Sequence, residues 1–340
     1  MGRGVVIIVV LVLFAVPTSI FASIFSLGPE QLVQAGGSPL IVNGYSVPSY
    51  VDWNNDGRKD LVVGEGGGGY NGKVRIYLNT GTQSSPQFNS YFYVQSGGAD
   101  LTYPGSSCLG LFPRVAYWDS DGRKDLIAGT ADGYVKLFLN TGTDSAPVFD
   151  AGRNLQVGLP GSKVDIAVGA RATPIWLDWN NDGLKDLTVG ALDGRIRLYI
   201  NEGTNTDPDF RTEQFIKQSG SDLTVPTGRS SPVIEDLDGD DKKDLLCGNT
   251  EGQLVFYSNI GTDASPIFSG STLLAAGGVT IDLPGTPRSR PFVADWNGDG
   301  LPDVLVGAGD GMTHLYLGTP EPATLCLLGL GALVLVRKRR

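Results

Sequence analysis

The sequence is poor in the residues that most metal and nucleophilic chemistry requires. Among its 340 residues there is one histidine, His314, and there are three cysteines, Cys108, Cys247 and Cys326. Mechanisms that use two histidines are therefore excluded, and three cysteines are too few for a zinc knuckle or a disulfide scaffold. Acidic residues outnumber basic residues by 36 to 26, so the formal net charge is −10. Nucleic acid, which binds to broad basic surfaces, is not an expected partner.

Long apolar runs are confined to the two ends of the chain. Near the N-terminus, Arg3 is followed by an apolar run over 5–16 and by Ala22 at a plausible cleavage position. This pattern predicts a secretory signal peptide over 1–22. An N-terminal membrane anchor is the alternative, although the run is shorter than the ~20 residues of a typical span.

The C-terminal end combines three features. Pro320, Glu321 and Pro322 precede an apolar stretch over 323–336, and four basic residues over 337–340 end the sequence. Terminal cations favour an orientation that leaves the preceding residues outside the cytoplasm. A simple tail anchor is one interpretation of this segment.

The tail 319–340 also resembles the PEP-CTERM sorting signal of bacterial surface proteins. The resemblance implies recognition, and removal, by a sorting protease of the exosortase kind. Both interpretations place the body of the protein outside the cytoplasm, at the cell surface or in the extracellular matrix, tethered transiently or permanently by the tail.

Between the two ends, residues 23–318 lack a sustained helical period. Glycine is abundant, with 48 residues, but no G-x-y period runs through the chain, which excludes collagen. Glycine at this level indicates many tight turns and therefore many short strands. The expected fold class is all-β.

A unit of about 60 residues recurs five times. The copies begin at five corresponding positions, which are Asp52, Tyr117, Asp178, Asp236 and Asp295. Each start is followed by an apolar run that ends in glycine, a turn and an alternating run, which together with the next segment read as four short strands. Repeated four-stranded units predict a five-bladed β-propeller with antiparallel blades over 23–318.

The ends of the repeat array indicate how the ring closes. The last unit stops at Gly318 after its third strand, and residues 25–33 resemble the fourth-strand segments of the other units. We therefore expect the N-terminal strand to complete the last blade and to remove open sheet edges. A linear solenoid is the alternative arrangement.

The repeated loop has the composition of a metal site. In the first unit, Asp52, Asn54, Asp56 and Asp60 occupy positions 1, 3, 5 and 9, and Arg58 offers its carbonyl at position 7. Oxygen ligands at alternate residues of a tight turn suit a hard cation such as Ca²⁺. The loop is not an EF-hand, because position 12 is apolar and a strand follows. The alternative is that the acids form Asx-turns and bind nothing.

These loops resemble those of the FG-GAP/VCBS repeat family, whose integrin-like propellers carry Ca²⁺ there. We expect three to five structural Ca²⁺ ions per chain, with the second site weakest or empty because Tyr117 occupies its first position. Beyond the first loop, the candidate ligands are Asp119, Asp121, Arg123 and Asp125; Asp178, Asn180, Asp182, Leu184 and Asp186; Asp236, Asp238, Asp240, Lys242 and Asp244; and Asp295, Asn297, Asp299, Leu301 and Asp303. In the fourth loop Asp241 replaces the turn glycine, which an aspartate tolerates better than most residues.

Strand parity places the acidic loops on one face of the ring and the entries to the innermost strands on the other. Four arginines, Arg171, Arg229, Arg288 and Arg290, belong to those entries. Because arginine forks suit carboxylates and sulfates, they form a candidate site for an anionic ligand such as an acidic polysaccharide. The alternative is that they are solvated loop arginines paired with nearby acids.

A row of aromatic residues occupies loop position 2, as Trp53, Trp118, Trp179 and Trp296. Such a row can stack on sugars, but we expect it to pack between neighbouring blades. The sequence as a whole predicts an exported calcium-binding propeller that binds extracellular polysaccharide or a surface protein. The rival interpretation is an extracellular carbohydrate-active hydrolase or lyase, which requires a concave set of acid, base and donors that the motifs do not display.

Overall fold

The structure is a computed structural model, and it describes residues 26–320 except 106–109, 120, 284 and 286–287. The predicted signal peptide, the tail beyond Pro320 and Cys108 therefore lie outside the described residues. The described chain contains strands, turns and bends and no helix. The prediction of an all-β fold is confirmed.

The strands follow the repeat. The N-terminal segment forms β1 (Ser26–Leu27), β2 (Gln31–Leu32), β3 (Gln34–Ala35) and β4 (Ser38–Pro39). The first repeat forms β5 (Val47–Val51), β6 (Asp60–Gly67), β7 (Tyr70–Tyr77), β8 (Phe92–Tyr93), β9 (Gln95–Ser96) and β10 (Ala99–Asp100). The second forms β11 (Leu111–Ala116), β12 (Asp125–Thr130), β13 (Val135–Phe138), β14 (Arg153–Asn154), β15 (Gln156–Val157) and β16 (Val164–Asp165).

The remaining three repeats continue this pattern. The third forms β17 (Thr173–Leu177), β18 (Asp186–Gly190), β19 (Ile196–Tyr199), β20 (Gln214–Phe215), β21 (Lys217–Gln218) and β22 (Ser221–Asp222). The fourth forms β23 (Ser231–Glu235), β24 (Asp244–Gly248), β25 (Leu254–Asn259), β26 (Phe268–Leu273), β27 (Ala275–Ala276) and β28 (Val279–Thr280). The fifth forms β29 (Arg290–Ala294), β30 (Asp303–Gly307), β31 (Thr313–Tyr316) and β32 (Gly318–Thr319).

The strands assemble into a propeller with six sheets of four or more strands, so the predicted number of five blades is wrong. Five of these sheets contain the repeats, in the orders β5-β6-β7-β8, β11-β12-β13-β14, β17-β18-β19-β20, β23-β24-β25-β26 (extended by β21 and β22) and β29-β30-β31-β2. The additional sheet has the order β28-β27-β1-β32 and joins both ends of the described chain.

The sixth sheet has a local cause. At other junctions, a single residue of one repeat's small hairpin bridges in parallel to the phenylalanine of the next repeat, as Ser96 does to Phe149. At the seam between the chain ends the corresponding pairing is more extensive. Here β1 pairs with β27 in parallel and with two residues of β32 in antiparallel orientation. No repeat motif marks this sheet, which explains why a count of repeats misses it.

The first strands of the five repeats surround the axis. Each of β5, β11, β17, β23 and β29 contacts its two neighbours, and β29 contacts β5, so the cycle is closed. Each of these strands contains a proline: Pro48, Pro113, Pro174, Pro232 and Pro291. Proline is tolerated there because the innermost strand pairs with one neighbour only and is a sheet edge.

The N-terminal segment completes the last repeat, as the sequence predicts. Strand β2 pairs antiparallel with β31, with Gln31 opposite Leu315 and Leu32 opposite His314. Residues from the beginning and the end of the described chain thus share one sheet, and the linear solenoid is excluded.

The hydrophobic core is divided among the junctions between repeats. One cluster joins Ile127 and Leu137 of the second repeat to Leu187 and Val189 of the third, and four further clusters join the other neighbouring pairs. The four loop tryptophans belong to these clusters and are at most 8% exposed. The prediction that they pack between blades is confirmed, and each stands within 6.4 Å of a phenylalanine ring from the adjoining repeat.

Candidate functional site

The five acidic loops each connect an innermost strand to the second strand of its sheet. Their backbone turns through the left-handed region at position 6, where Gly57 has a φ of 85°. In the fourth loop Asp241 adopts the same conformation with a φ of 63°. The loop therefore keeps its shape without the glycine, as expected for aspartate.

Backbone amides within each loop point at its acidic side chains. In the first loop, Asp52 accepts hydrogen bonds from the amides of Asp56 (3.2 Å) and Gly57 (2.9 Å). Asn54 accepts from Asp56 (3.1 Å), and Asp56 accepts from Arg58 (2.9 Å). These are Asx-type turns, so part of the negative charge is already stabilised by backbone dipoles.

The aspartate at position 9 is a structural brace in every repeat. Asp60 is fully buried, and its two oxygens accept the backbone amides of Trp53 (2.9 Å) and Asn79 (2.7 Å). One carboxylate thus joins the loop, the second strand and the turn after the third strand. Burial raises the pKa of the position-9 carboxyls, and the pKa of Asp244 reaches about 6.

Three carboxylates converge in the fourth loop. Oxygens of Asp236, Asp238 and Asp244 lie within 4.8 Å of one another, which holds for no other acidic group in the described part of the chain. Both side-chain oxygens of Asp238 are buried and lack a hydrogen-bond partner among the described residues. Burial and the nearby carboxylate of Asp240 raise the pKa of Asp238. This arrangement fits a hard cation, which supplies the missing partner and the counter-charge.

The other loops differ in the hydrogen-bond partners of their acidic side chains. In the third loop, Oδ1 of Asp178 is buried and has no partner among the described residues. In the second loop, Tyr117 replaces the first ligand and its hydroxyl donates to Asp144 (3.3 Å). The second loop therefore offers fewer carboxylates than the others.

A basic side chain at position 7 pairs with the carboxylate at position 5 in three of the loops. Arg58 pairs with Asp56, Arg123 pairs with Asp121, and Lys242 pairs with Asp240. Position 7 is leucine in the third and fifth loops, at Leu184 and Leu301. The carboxylates at position 5 of those two loops, Asp182 and Asp299, are hydrogen-bonded without a neighbouring cation at position 7.

The four arginines of the opposite face do not form one exposed cluster. Arg171 and Arg290 are fully buried, whereas Arg229 and Arg288 are partly exposed. Arg171 donates to the hydroxyl of Ser231 (2.9 Å), and both Arg288 and Arg290 stack on the ring of Tyr45. At least part of this set therefore makes contacts with other side chains within the fold.

A clamp between repeats was not anticipated from the sequence. Asn55, at loop position 4, donates to Asp144 of the next repeat (2.6 Å), and Lys124 contacts both side chains. Asn181, Lys243 and Asp263 repeat this arrangement between the third and fourth repeats. The signal available in the sequence was an asparagine at position 4 together with a lysine at position 8.

Two concave regions lie near the loops. A polar cleft of about 550 Å³ opens between the second and third repeats and includes Lys136, Arg153 and Asp165. A smaller cavity of about 250 Å³ lies among the innermost strands and includes Arg114 and Glu235. Burial raises the pKa of Glu235 to about 7, against the opposing influence of Lys59 and Arg114.

Comparison with known families identifies the repeat. The model of the FG-GAP-like repeat matches residues 178–247 and 236–306, which include the third, fourth and fifth acidic loops. The chain carries FG-GAP-like repeats. A second model, that of the PEP-CTERM protein-sorting motif, matches residues 319–340. The motif implies export and cell-surface sorting with exosortase-like processing.

The chain is also similar to part of a curated integrin chain. Integrin alpha-4 of Xenopus laevis is 27% identical over 219 residues, which are 59% of this chain. The chain spans about a fifth (20%) of the length of that curated relative.

Solved structures with similar shape include the Tc holotoxin pore of Photorhabdus luminescens (18% identity, TM-score 0.41, covering 85% of this chain and 12% of that one). Raptor of Chaetomium thermophilum is also similar (12% identity, TM-score 0.38, covering 90% of this chain and 30% of that one). Such scores carry no argument about function.

A membrane-spanning helix is not found in the part of the chain that the structure describes.

Proposed function

We propose that this chain is an exported, calcium-binding FG-GAP propeller that acts as an adhesion module at the cell surface or in the extracellular matrix. The observation that carries the calcium part is the fourth loop, where Asp236, Asp238 and Asp244 converge and both oxygens of Asp238 are buried without a partner among the described residues. The sorting motif supports export, and the similarity to part of an integrin chain supports binding of a protein or surface ligand.

The proposed ion has a structural role: it stabilises the fold and does not act on a substrate. A divalent ion in the loop offsets the repulsion among its carboxylates and ties the innermost strand to the second strand. In the third and fifth loops, Asp178, Asn180 and Asp182, and Asp295, Asn297 and Asp299, are the proposed ligands. The backbone carbonyls of Leu184 and Leu301 join them.

Metal content and thermal stability test this proposal together. We expect about three to five Ca²⁺ ions per purified chain and a clear fall in Tm when a chelator is added, because ligands that bind the native state stabilise it. Replacing Asp238→Asn should remove bound metal and reduce the response of Tm to the chelator. The calcium part of the proposal is wrong if the purified protein contains no metal and its Tm does not change when the chelator is added.

The matched control is Asp119→Asn in the second loop, where Tyr117 replaces the first ligand. This variant should bind nearly as much metal as the wild type. If both variants lose the same amount of bound metal, the inferred difference in metal binding between the second and fourth loops is wrong.

The ligand of the adhesion module is proposed to be a polysaccharide, and the polar cleft between the second and third repeats is the proposed place for it. Its mixture of cations and carboxylates, including Lys136, Arg153 and Asp165, offers both donors and acceptors to hydroxyl groups. Binding on a glycan array without turnover of the glycan supports adhesion. Turnover that a substitution in a concave site abolishes supports the hydrolase or lyase instead.

A further inference from the structure

The cavity among the innermost strands combines charged and apolar groups. It lies among β11, β17, β23 and β29 and has a volume of about 250 Å³. Its apolar walls include Ile175, Val233 and Phe292. Three polar side chains, Arg114, Trp176 and Glu235, also line it. This composition resembles that of small-molecule sites, in which apolar walls surround a few polar anchors.

Arg114 is a buried cation whose hydrogen bonding is incomplete. Arg114 is 7% exposed, and the negative charge of Glu235 acts on its guanidinium group. One terminal nitrogen donates to Ser49 (2.9 Å) and to the carbonyls of Pro113 (3.1 Å) and Pro48 (3.2 Å). The other donates to the carbonyl of Pro291 alone (3.3 Å). Its Nε has no partner among the described residues. A buried guanidinium in this state favours an anionic ligand.

Trp176 adds a second buried donor without a described partner, and Glu235 adds an acidic group to the cavity lining. The indole nitrogen of Trp176 is buried and has no acceptor within the described chain, and stacking on Trp118 at 4.2 Å holds the ring in place. Glu235, at the end of β23, is exposed to solvent at the rim of the cavity, and the charges of Lys59 and Arg114 act on its carboxyl group. The cavity therefore presents two N–H donors without described partners, on Arg114 and Trp176, and the accessible carboxyl group of Glu235.

We propose that this cavity binds a compact zwitterion with an apolar body, such as a free aliphatic amino acid. Its carboxylate accepts hydrogen bonds from Arg114 and Trp176, and its ammonium group pairs with Glu235. Its apolar body packs against Ile175, Val233 and Phe292. At ~30 Å³ per water molecule the cavity has the volume of about eight waters, which suits a molecule of the size of leucine.

Other ligand classes leave part of the cavity unmatched. A sugar places hydroxyl groups against aliphatic walls, where they have no partners. An inorganic anion satisfies Arg114 but leaves Glu235 and the apolar walls without contacts. The inference does not depend on the calcium proposal, since none of its anchors is one of the proposed metal ligands.

Three matched probes test the proposal by titration calorimetry of the purified chain at saturating Ca²⁺. Leucine carries both charges, 4-methylpentanoate lacks the ammonium group, and 3-methylbutylamine lacks the carboxylate. Leucine should bind, and each analogue should bind about tenfold to a hundredfold more weakly because it loses a charge-assisted hydrogen bond. Absence of leucine binding, or equal binding of all three probes, would overturn the proposal.

Variants assign the contacts. Trp176→Phe keeps an aromatic ring but removes the N–H, and it should weaken leucine binding by about tenfold. Trp179→Phe is the matched control, because Trp179 is a buried tryptophan that packs against Phe268 and does not line the cavity, and it should leave leucine affinity unchanged. Equal losses in the two variants would reveal a packing effect and reject the proposed contact.

Glu235→Gln separates the two charges. It should weaken the binding of leucine but not of 4-methylpentanoate, since only leucine offers an ammonium group. A variant that weakens both probes equally, with an unchanged Tm, would contradict the proposed orientation of the ligand.

Discussion

The aspartate at loop position 9 shows that one residue can have a structural role within a motif that also resembles a metal site. Asp186 is fully buried, and its oxygens accept the amides of Trp179 (3.0 Å) and Asn201 (2.8 Å). Both bonds are charge-assisted, and they link three segments of one repeat. Spacing alone does not distinguish this brace from a ligand, because both roles need an oxygen at the same position.

Replacing Asp186→Asn tests the brace. Asparagine has an NH₂ group in place of one of the two accepting oxygens, so one backbone N–H loses its acceptor. We therefore expect the free energy of unfolding to fall by about 1–3 kcal/mol. Urea denaturation in the presence of a chelator measures this change without a contribution from metal. The exposed Asp207→Asn serves as the control and should change stability by less than about 0.5 kcal/mol.

At the level of strands and loops, the glycine that ends the second strand determines how closely repeats approach. A Cβ atom at Gly129 would lie 2.0 Å from the carbonyl oxygen of Ala172 and 2.7 Å from Cδ of Pro174. Gly64 and Gly307 face Pro113 and Pro48 of the following repeats in the same way, so the contact recurs around the ring. The repeat therefore needs glycine for close approach, although its φ there is not positive.

We expect Gly129→Ala to destabilise the protein by about 1–3 kcal/mol or more, because the backbone of the next repeat must move away. Gly28→Ala is the matched control, since its Cβ would meet nothing closer than 3.5 Å. Thermal unfolding of both variants measures the difference. Equal Tm values would show that the junction between repeats is not as tight as the distances indicate.

The clamp formed by Asn55, Lys124 and Asp144 joins two loops of neighbouring repeats. Burial raises the pKa of Asp144, but hydrogen bonds from Asn55 and Lys124 outweigh it and hold the pKa below its usual value of 3.8. A depressed pKa means that the clamp stabilises the fold above the pKa of the unfolded chain. This stability is lost as the pH falls through the pKa of the folded state.

Lys124→Met should therefore lower Tm at neutral pH, and the difference from the wild type should shrink as the pH falls below about 4. Tm measured from pH 7 to pH 3 gives this profile. Lys217→Met, at a lysine whose side chain is 59% exposed, is the control and should show little effect. A difference that stays constant with pH would mean that Lys124 acts through packing alone.

The whole ring depends on the seam between its ends. His314 on β31 contacts Glu30 (2.7 Å), which lies between β1 and β2, and also contacts Asp310 (3.2 Å). Burial lowers the pKa of His314, but the hydrogen bonds that its ring donates to Asp310 and Glu30 raise the pKa above its usual 6.5. The resulting stability is present below the pKa of the unfolded state and is lost as the pH rises through the folded pKa.

Replacing Glu30→Gln should lower Tm at pH 5.5 and have a smaller effect at pH 8.5, because neutral His314 no longer gains from the carboxylate. Differential scanning calorimetry at the two pH values checks this. A larger effect at the higher pH would contradict the proposed role of His314 at the seam.

Much of the architecture could be predicted because it is encoded within single repeats. The acidic loops, the hairpin turns and the apolar runs each follow from residues close together in the sequence, as in 52–64. The completion of the last sheet by the N-terminal strand was predictable too, since one repeat visibly lacks a strand. Local patterns of this kind depend on short-range backbone geometry and on the alternation of strands.

Other features depend on residues that only folding brings together. The sixth sheet arises where β1 meets β27 and β32, and no motif marks this contact. The convergence of Asp236, Asp238 and Asp244, the burial of Arg171 and Arg290, and the cavity around Arg114 likewise depend on how repeats pack. The repeat pattern specified the blades because its signals are local. Burial, charge pairing and the seam were settled by contacts between distant parts of the chain.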